Sequence, residues 1–191
     1  MGIISIIGAP GVGKSFLVKQ LSTLECAPAF FEGEEGTIPQ EILDFWRKPS
    51  PIRRFQWFVD RHKTIFEKAE KISKSGINCY VDGAPISIIA HIKEEKKKFW
   101  PELENIVSQL DNIKIDKIIL ITASIDKIKD LVLKRARKTE QNEKTIAKFI
   151  KIQEEFKKLA KKDKNIIVID RTNFDFSKEL DLKKIIEKIN N

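Results

Sequence analysis

The sequence predicts an α/β protein: a three-layer sandwich in which a five-stranded parallel sheet carries helices on both faces, with a short lid segment. Three observations predict it. Short apolar runs alternate along the chain with amphipathic helical stretches. The runs are unbroken rather than alternating, as in Lys117-Ile-Ile-Leu-Ile-Thr122, which suits strands covered on both faces. Finally, Gly8-Ala-Pro-Gly-Val-Gly-Lys14-Ser15 stands between the first apolar run and a helical stretch, so it reads as strand, glycine loop, helix.

The first strand is expected over Gly2 to Ile7 and its helix over Lys14 to Leu24. Ala27-Pro-Ala-Phe-Phe31-Glu32 is a short apolar segment ending on an acid and is read as strand two. Gly33 to Pro39 has turn composition; Gln40 to Lys48 is helical in pattern until Pro49 and Pro51 stop it. A long amphipathic helix follows from Ile52 to Ser75, with Gly76 as its stop. Strand three is Asn78-Cys-Tyr-Val81, ending on Asp82-Gly83. Ile86 to Leu110 is mostly helical, divided at Trp100-Pro101. Strand four is Lys117 to Thr122, and a helix runs from Ile125 to Lys134. A polar basic segment, the expected lid over residues 135–143, precedes a helix from Glu143 to Lys161. Strand five is Asn165 to Asp170, and a closing helix over Phe176 to Ile189 is opened by Ser177.

The 191 residues are expected to form one domain, residues 1–191, long enough to bury a core. The N-terminal apolar run breaks into the glycine loop, so it reads as a buried strand and not as a membrane segment or signal peptide. Two cysteines, with no Cys/His cluster at ligand spacing, support neither a disulfide framework nor a zinc site and fit the cytoplasm. The net charge of +8 admits polyanions. Lysines nevertheless alternate with glutamates, as in Lys151-Ile-Gln-Glu-Glu-Phe-Lys-Lys158, which is the pattern of solvated helix faces. Nucleic acid is therefore not the expected partner, nor is a membrane.

Glycines let a backbone turn tightly and point successive N–H groups at a phosphate, next to the positive end of the following helix. Gly8, Gly11, Val12, Gly13, Lys14, Ser15 and Phe16 are accordingly read as the nucleotide site, with Lys14 reaching the β- and γ-phosphates and the Ser15 hydroxyl placed for Mg²⁺. Asp82, at the tip of strand three, is a candidate to hold Mg²⁺ directly or through water; an ordinary Asp-Gly turn is the alternative. Glu32, at the tip of strand two, could accept a proton from an acceptor hydroxyl; a solvated acidic loop with Glu34 and Glu35 is the alternative. Trp57 and Arg61, spaced i, i+4, share a helix face with Arg54 one turn earlier. That face offers an aromatic plane and guanidinium donors to a base or phosphate, or else a core tryptophan beside surface charge. Arg135 and Arg137 lie in the basic segment, where mobile arginines could cover a transferring phosphoryl group. Arg171 and Thr172 follow strand five, where the arginine plane could stack on adenine. His62 and His91 have no partner at catalytic spacing and read as ordinary.

Taken together, these motifs resemble those of the deoxynucleoside kinases and thymidylate kinases, P-loop enzymes, over nearly the whole chain. The deoxynucleoside-kinase-like pieces are Glu32, Asp44-Phe45-Trp46 with Pro49, Phe55-Gln56-Trp57-Phe58, Lys134-Arg135-Ala-Arg137-Lys138-Thr-Glu140, and Ile169-Asp170 with Asn173-Phe-Asp-Phe176. Those similar to thymidylate kinases are Trp57 with Asp60-Arg61, and Leu159-Ala160 with Asp163 before Asp170. The resemblance implies Glu32 as base, Arg61 and Trp57 as acceptor contacts, the lid arginines Arg135 and Arg137 on the transferring phosphate, and the last loop on adenine; Arg54 and Phe58, on the same helix, are read as further acceptor contacts. It also implies a homodimer. Both families place an arginine after the strand-three acid, where this chain has Gly83; thymidylate kinases place one before the strand-two acid, where it has Phe31. These departures favour a nucleoside over a monophosphate acceptor.

The expected function is therefore ATP- and Mg²⁺-dependent transfer of a γ-phosphate to the 5′-hydroxyl of a deoxynucleoside. Two alternatives stay open: a thymidylate-type monophosphate kinase, and a non-catalytic nucleotide-binding or basic RNA-binding protein.

Overall fold

The computed structural model describes residues 2–33, 39, 42, 52–95, 100–134 and 142–190. Arg135, Arg137, most of the expected lid, the acidic pair Glu34 and Glu35, most of the helix expected over Gln40 to Lys48, and the side chain of His91 lie outside them. Within that set the chain order is β1 (Ile3–Gly8), α1 (Lys14–Leu24), β2 (Ala29–Phe30), α2 (Ile52–Ser73), β3 (Cys79–Asp82), α3 (Pro85–Glu95), α4 (Trp100–Val107) and a 3-10 turn (Ser108–Leu110). It continues with β4 (Lys117–Thr122), α5 (Ile125–Lys134), α6 (Glu143–Ala160), β5 (Ile166–Asp170) and α7 (Glu179–Asn190).

All strand pairs are parallel, in the order β2-β3-β1-β4-β5. The chain must therefore return across the sheet after every strand, and right-handed crossovers send α1 to one face and α2 through α6 to the other. The packing agrees: α1 meets α7, whereas α2 packs on β3 and α4, and α6 on β4 and α3. β1 is buried at every position because it is central and covered on both sides. Leu17, Val18 and Leu21 of α1 lie on the same apolar cluster as Ile4, Ile6 and Tyr80, while Ile65, Phe66 and Ala69 of α2 lie on Ile3, Cys79 and Val81. Each such side chain stabilises the fold by roughly 1.5–3 kcal/mol when fully buried.

Two expected boundaries need correction. Strand two is only Ala29–Phe30, not Ala27 to Glu32: it is an edge strand that pairs through Ala29 and Phe30 alone, and Phe31 and Glu32 run on beyond the sheet. The stretch after Asp82 is mostly helical to Leu110 as expected: α3 runs from Pro85, one residue before Ile86, and α4 carries Pro101 in the first of its described turns, where a missing N–H costs nothing. The closing helix starts at Glu179 rather than Phe176. Ser177 does not open it, because its N–H and hydroxyl both donate to Asp175 Oδ1 instead.

In a parallel sheet all carboxyl ends lie on one edge. The glycine loop, Glu32, Asp82, the turn after Thr122 and Asp170 to Asn173 therefore gather there, as strand order and register require.

Candidate functional site

The site is built outward from β1. Its last residue, Gly8, opens a loop that closes at Gly13, the residue capping α1, which takes φ +94° in the left-handed region. A side chain would strain that conformation, and the open α-carbon lies against Arg171, whose Nε stands 3.6 Å from where a β-carbon would be. Val12 is fully buried beneath the loop and Phe16 is 43% exposed beside it. Lys14 Nζ donates to the Ala9 carbonyl at 3.2 Å, so its ammonium lies back across the loop.

Register sets the next contact. Ile6 of β1 stands opposite Asp82 of β3, which carries the Asp82 carboxylate to the first turn of α1. There Ser15 Oγ donates to Asp82 Oδ2 at 2.5 Å. Asp82 is 4% exposed and its Oδ1 is buried without a hydrogen-bond partner. Burial pushes the Asp82 carboxyl above its ordinary range, with the Glu32 charge adding to the rise; the Lys14 charge, the Ser15 hydrogen bond and His62 oppose it. The unpartnered Asp82 Oδ1 and the Ser15 hydroxyl are oxygen donors of the kind that hard divalent cations take, and the Lys14 ammonium beside them is a group that takes anions.

Glu32 reaches the same place from β2. A β-carbon on Gly83 would stand 3.2 Å from Glu32 Oε2, so this carboxylate lies over the residue that follows Asp82. Gly83 takes φ +98°, donates to the Ile6 carbonyl at 2.9 Å, and accepts from the Ser5 hydroxyl. The two acids and the glycine loop thus share one hollow, with Asp82 buried and the Glu32 side chain 24% exposed.

The long helix α2 forms one wall. Arg61 Nη2 donates to the Phe31 carbonyl at 3.2 Å, bringing a guanidinium to the tip of β2 beside a cleft of about 240 Å³ lined by Phe30, Phe31, Thr64 and Lys68. Trp57 meets Phe58 edge-on, centroids 5.0 Å apart, and Phe58 packs against the apolar cluster of Phe55, Val59, Ile88 and Leu103. Arg54 is buried, its guanidinium 4.7 Å from the Phe55 ring centroid.

The opposite wall comes from β4 and β5. The Arg171 guanidinium lies 3.8 Å from the Phe176 ring centroid, its Nε and Nη1 buried without hydrogen-bond partners, and burial lowers its pKa. Thr172 Oγ1 accepts from the Ser124 N–H at 2.9 Å, so its hydroxyl ties the two loops together. Gln153, 2% exposed, clamps the same turn from α6: it accepts from the Ala123 N–H at 2.8 Å and donates to the Ala123 carbonyl at 2.9 Å.

One residue read as ordinary belongs to this hollow. His62 is fully buried, and its Nε2 stands 3.3 Å from Glu32 Oε1. A signal for it existed: the buried stripe Phe55, Val59, His62, Phe66, Ala69 places an imidazole where an apolar side chain is expected. Gln153 carried the same signal on α6, between Phe149 and Phe156.

No family model and no curated protein sequence matches the chain. Among solved structures it is similar to deoxyadenosine kinase from M. mycoides with products dCMP and a flexible dCDP bound, at TM-score 0.76 and 18% identity over 98% of each chain. The same enzyme with bound dATP superposes at TM-score 0.69 and 20% identity, over 99% of this chain and 100% of that one. Thymidylate kinase from Candida albicans superposes at TM-score 0.75 and 16% identity, over 99% of this chain and 91% of that one. Over nearly its whole length, this chain has the fold that deoxyadenosine kinase and thymidylate kinase share.

Proposed function

We propose that the protein transfers the γ-phosphate of ATP to the 5′-hydroxyl of a deoxynucleoside. The observation that carries the reading is the meeting of Ser15 with Asp82 at the mouth of the glycine loop, with the Glu32 carboxylate across Gly83 in the same hollow. ATP and Mg²⁺ fit the residues present. The partnerless Asp82 Oδ1 and the Ser15 hydroxyl form an oxygen donor pair, Lys14 supplies a cation, and the loop leaves backbone open at Gly13. When bound, the nucleotide supplies the phosphoryl group and the cation neutralises charge on its oxygens.

The chain's own residues do the rest. Loop N–H groups with Gly8, Gly11, Val12, Gly13 and Phe16 seat the phosphates, and Lys14 swings from the Ala9 carbonyl to meet them. Glu32 takes the proton of the acceptor hydroxyl, for which it must lie within hydrogen-bond reach. Trp57, Phe58, Arg54 and Arg61 orient the acceptor; Arg171 and Thr172 flank the adenine; Arg135 and Arg137 close over the phosphoryl oxygens. The dCMP, dCDP and dATP bound by the M. mycoides enzyme support deoxynucleotide chemistry on this fold.

Transfer to a deoxynucleoside monophosphate is the second reading. Arg61 favours it, because its guanidinium at the tip of β2 is a group that an acceptor phosphate would need. A panel of deoxynucleosides and their monophosphates, scored by coupled ADP production, separates the two. Lys14→Ala should cut turnover by about 10²-fold or more while leaving the melting temperature close to that of the parent. Equal rates for variant and parent refute this donor site.

A further inference from the structure

Glu32 approaches the hollow from a chain segment beyond the sheet, so β2 pairing does not fix the direction of its carboxylate. Something else has to, because a proton acceptor works only within hydrogen-bond reach of its proton. Two observations identify what is aimed at it. The first is His62, with 0% exposure, Nε2 3.3 Å from Glu32 Oε1, and no hydrogen bond made by either ring nitrogen in this geometry. A buried polar ring without a partner is costly, so a leucine-sized apolar residue would serve the stripe of α2 better if packing were the ring's only task.

The second is the shape of Gly83. A β-carbon there would stand 3.0 Å from His62 Nε2 and 3.2 Å from Glu32 Oε2, so the glycine face is the floor on which both groups rest. That floor is rigid. The Gly83 N–H is held by Ile6 and its carbonyl by the buried Ser5 hydroxyl. Phe66 packs edge-on against the imidazole from one turn further along α2, ring centroids 5.9 Å apart, and limits its rotation.

We propose that His62 is a positioning residue for the transfer reaction: its Nε2–H, presented over the side-chain-free face of Gly83, holds the Glu32 carboxylate in the orientation that accepts the proton. His62 touches neither substrate nor nucleotide; it acts through Glu32. The inference rests on the proposed function for its kinetic consequence, not for the contact itself.

The test therefore has two arms on the full chain. Nitrogen-15 NMR of histidine-labelled protein, with no substrate, should find the His62 proton on Nε2 and should show that signal move on Glu32→Gln. A proton on Nδ1 alone, or an Nε2 signal indifferent to Glu32→Gln, overturns the proposal whatever the activity. Steady-state kinetics supply the second arm. His62→Leu should lower kcat about 10²-fold with KM for ATP unchanged and melting temperature equal or higher, because a buried polar ring is removed. His62→Gln, which retains an N–H at the Nε2 position, should recover at least tenfold of that loss. Wild-type kcat in both variants overturns the proposal. Absence of ADP production by the unmodified protein across the whole panel refutes the kinase reading instead, and the NMR arm then decides His62 alone.

Discussion

Replacing Asp82 by asparagine should make the protein more stable and far less active, opposite signs from one atom change. In the parent, Oδ2 accepts from Ser15 at 2.5 Å while Oδ1 is buried and unpartnered. The asparagine carbonyl keeps the Ser15 hydrogen bond, its amide takes the place of the unpartnered Oδ1, and the charged form that burial penalises is lost. Leaving a buried polar group unsatisfied costs about 1–3 kcal/mol, more for a charge, whereas weakening a charge-assisted bond to a neutral one costs about 1 kcal/mol. Burial prevails over the Lys14 and Ser15 contributions in the direction of the Asp82 pKa. Where the carboxyl is ionised the variant is therefore the more stable, and each kcal/mol of gain raises Tm by about 2–4 °C in a chain of this size. The pH sign follows from the same cause. The folded pKa lies above the ordinary 3.8, so between the two values the folded state binds more protons than the unfolded one. The Asp82 contribution to stability therefore falls as pH rises through that window and stays low above it. The advantage of Asp82→Asn should grow as pH rises above 3.8 and shrink as pH falls toward it. Turnover, by contrast, should drop about 10²–10³-fold if Asp82 is the cation ligand proposed above. Differential scanning calorimetry across pH and coupled ADP assays read the two effects. A variant that is less stable than the parent at neutral pH yet equally active refutes the assignment.

Two further changes probe the scaffold of the site. Gly83→Ala forces a β-carbon into the left-handed region at 3.0 Å from His62 Nε2; it should cost roughly 1–2 kcal/mol in chemical denaturation and lower kcat, and unchanged stability and kcat together would show that the face of Gly83 is not the floor described. Gln153→Leu strands the Ala123 N–H and carbonyl that it now satisfies. It should cost about 2–4 kcal/mol, counted as one or two stranded groups, and raise KM for ATP more than it lowers kcat, because the turn it clamps carries Ser124 and, through it, Thr172; an unaltered KM for ATP would separate this turn from the donor site.

Much of this was legible in the chain itself. β1, β3 and β4 announce themselves because strands covered on both faces are largely apolar, as in Ile3 to Ile7 and Lys117 to Thr122, and β5 shows the same apolar run although it is an edge strand with Val168 exposed. The glycine loop is equally plain, since its spacing and its strand-to-helix context are local. β2 was overdrawn because a run of apolar residues says nothing about where its neighbour ends, and β3 offers register only to Ala29 and Phe30. The helix start at Glu179 differs from the expected one because the turn before it depends on Asp175, whose hydrogen bonds to Ser177 are visible only once folded.

The sequence by itself determined most of the sheet, the glycine loop and the list of acids at strand ends, because each depends on residues adjacent in the chain. Only the tertiary structure decided that Ile6 stands opposite Asp82 and so brings it to Ser15, that Gly83 forms a bare floor, and that His62 faces Glu32 across thirty positions of sequence. The physical reason is that strand register and the docking angle of α2 are set by the packing of the whole core, and no local spacing encodes the distance between groups that the core alone draws together.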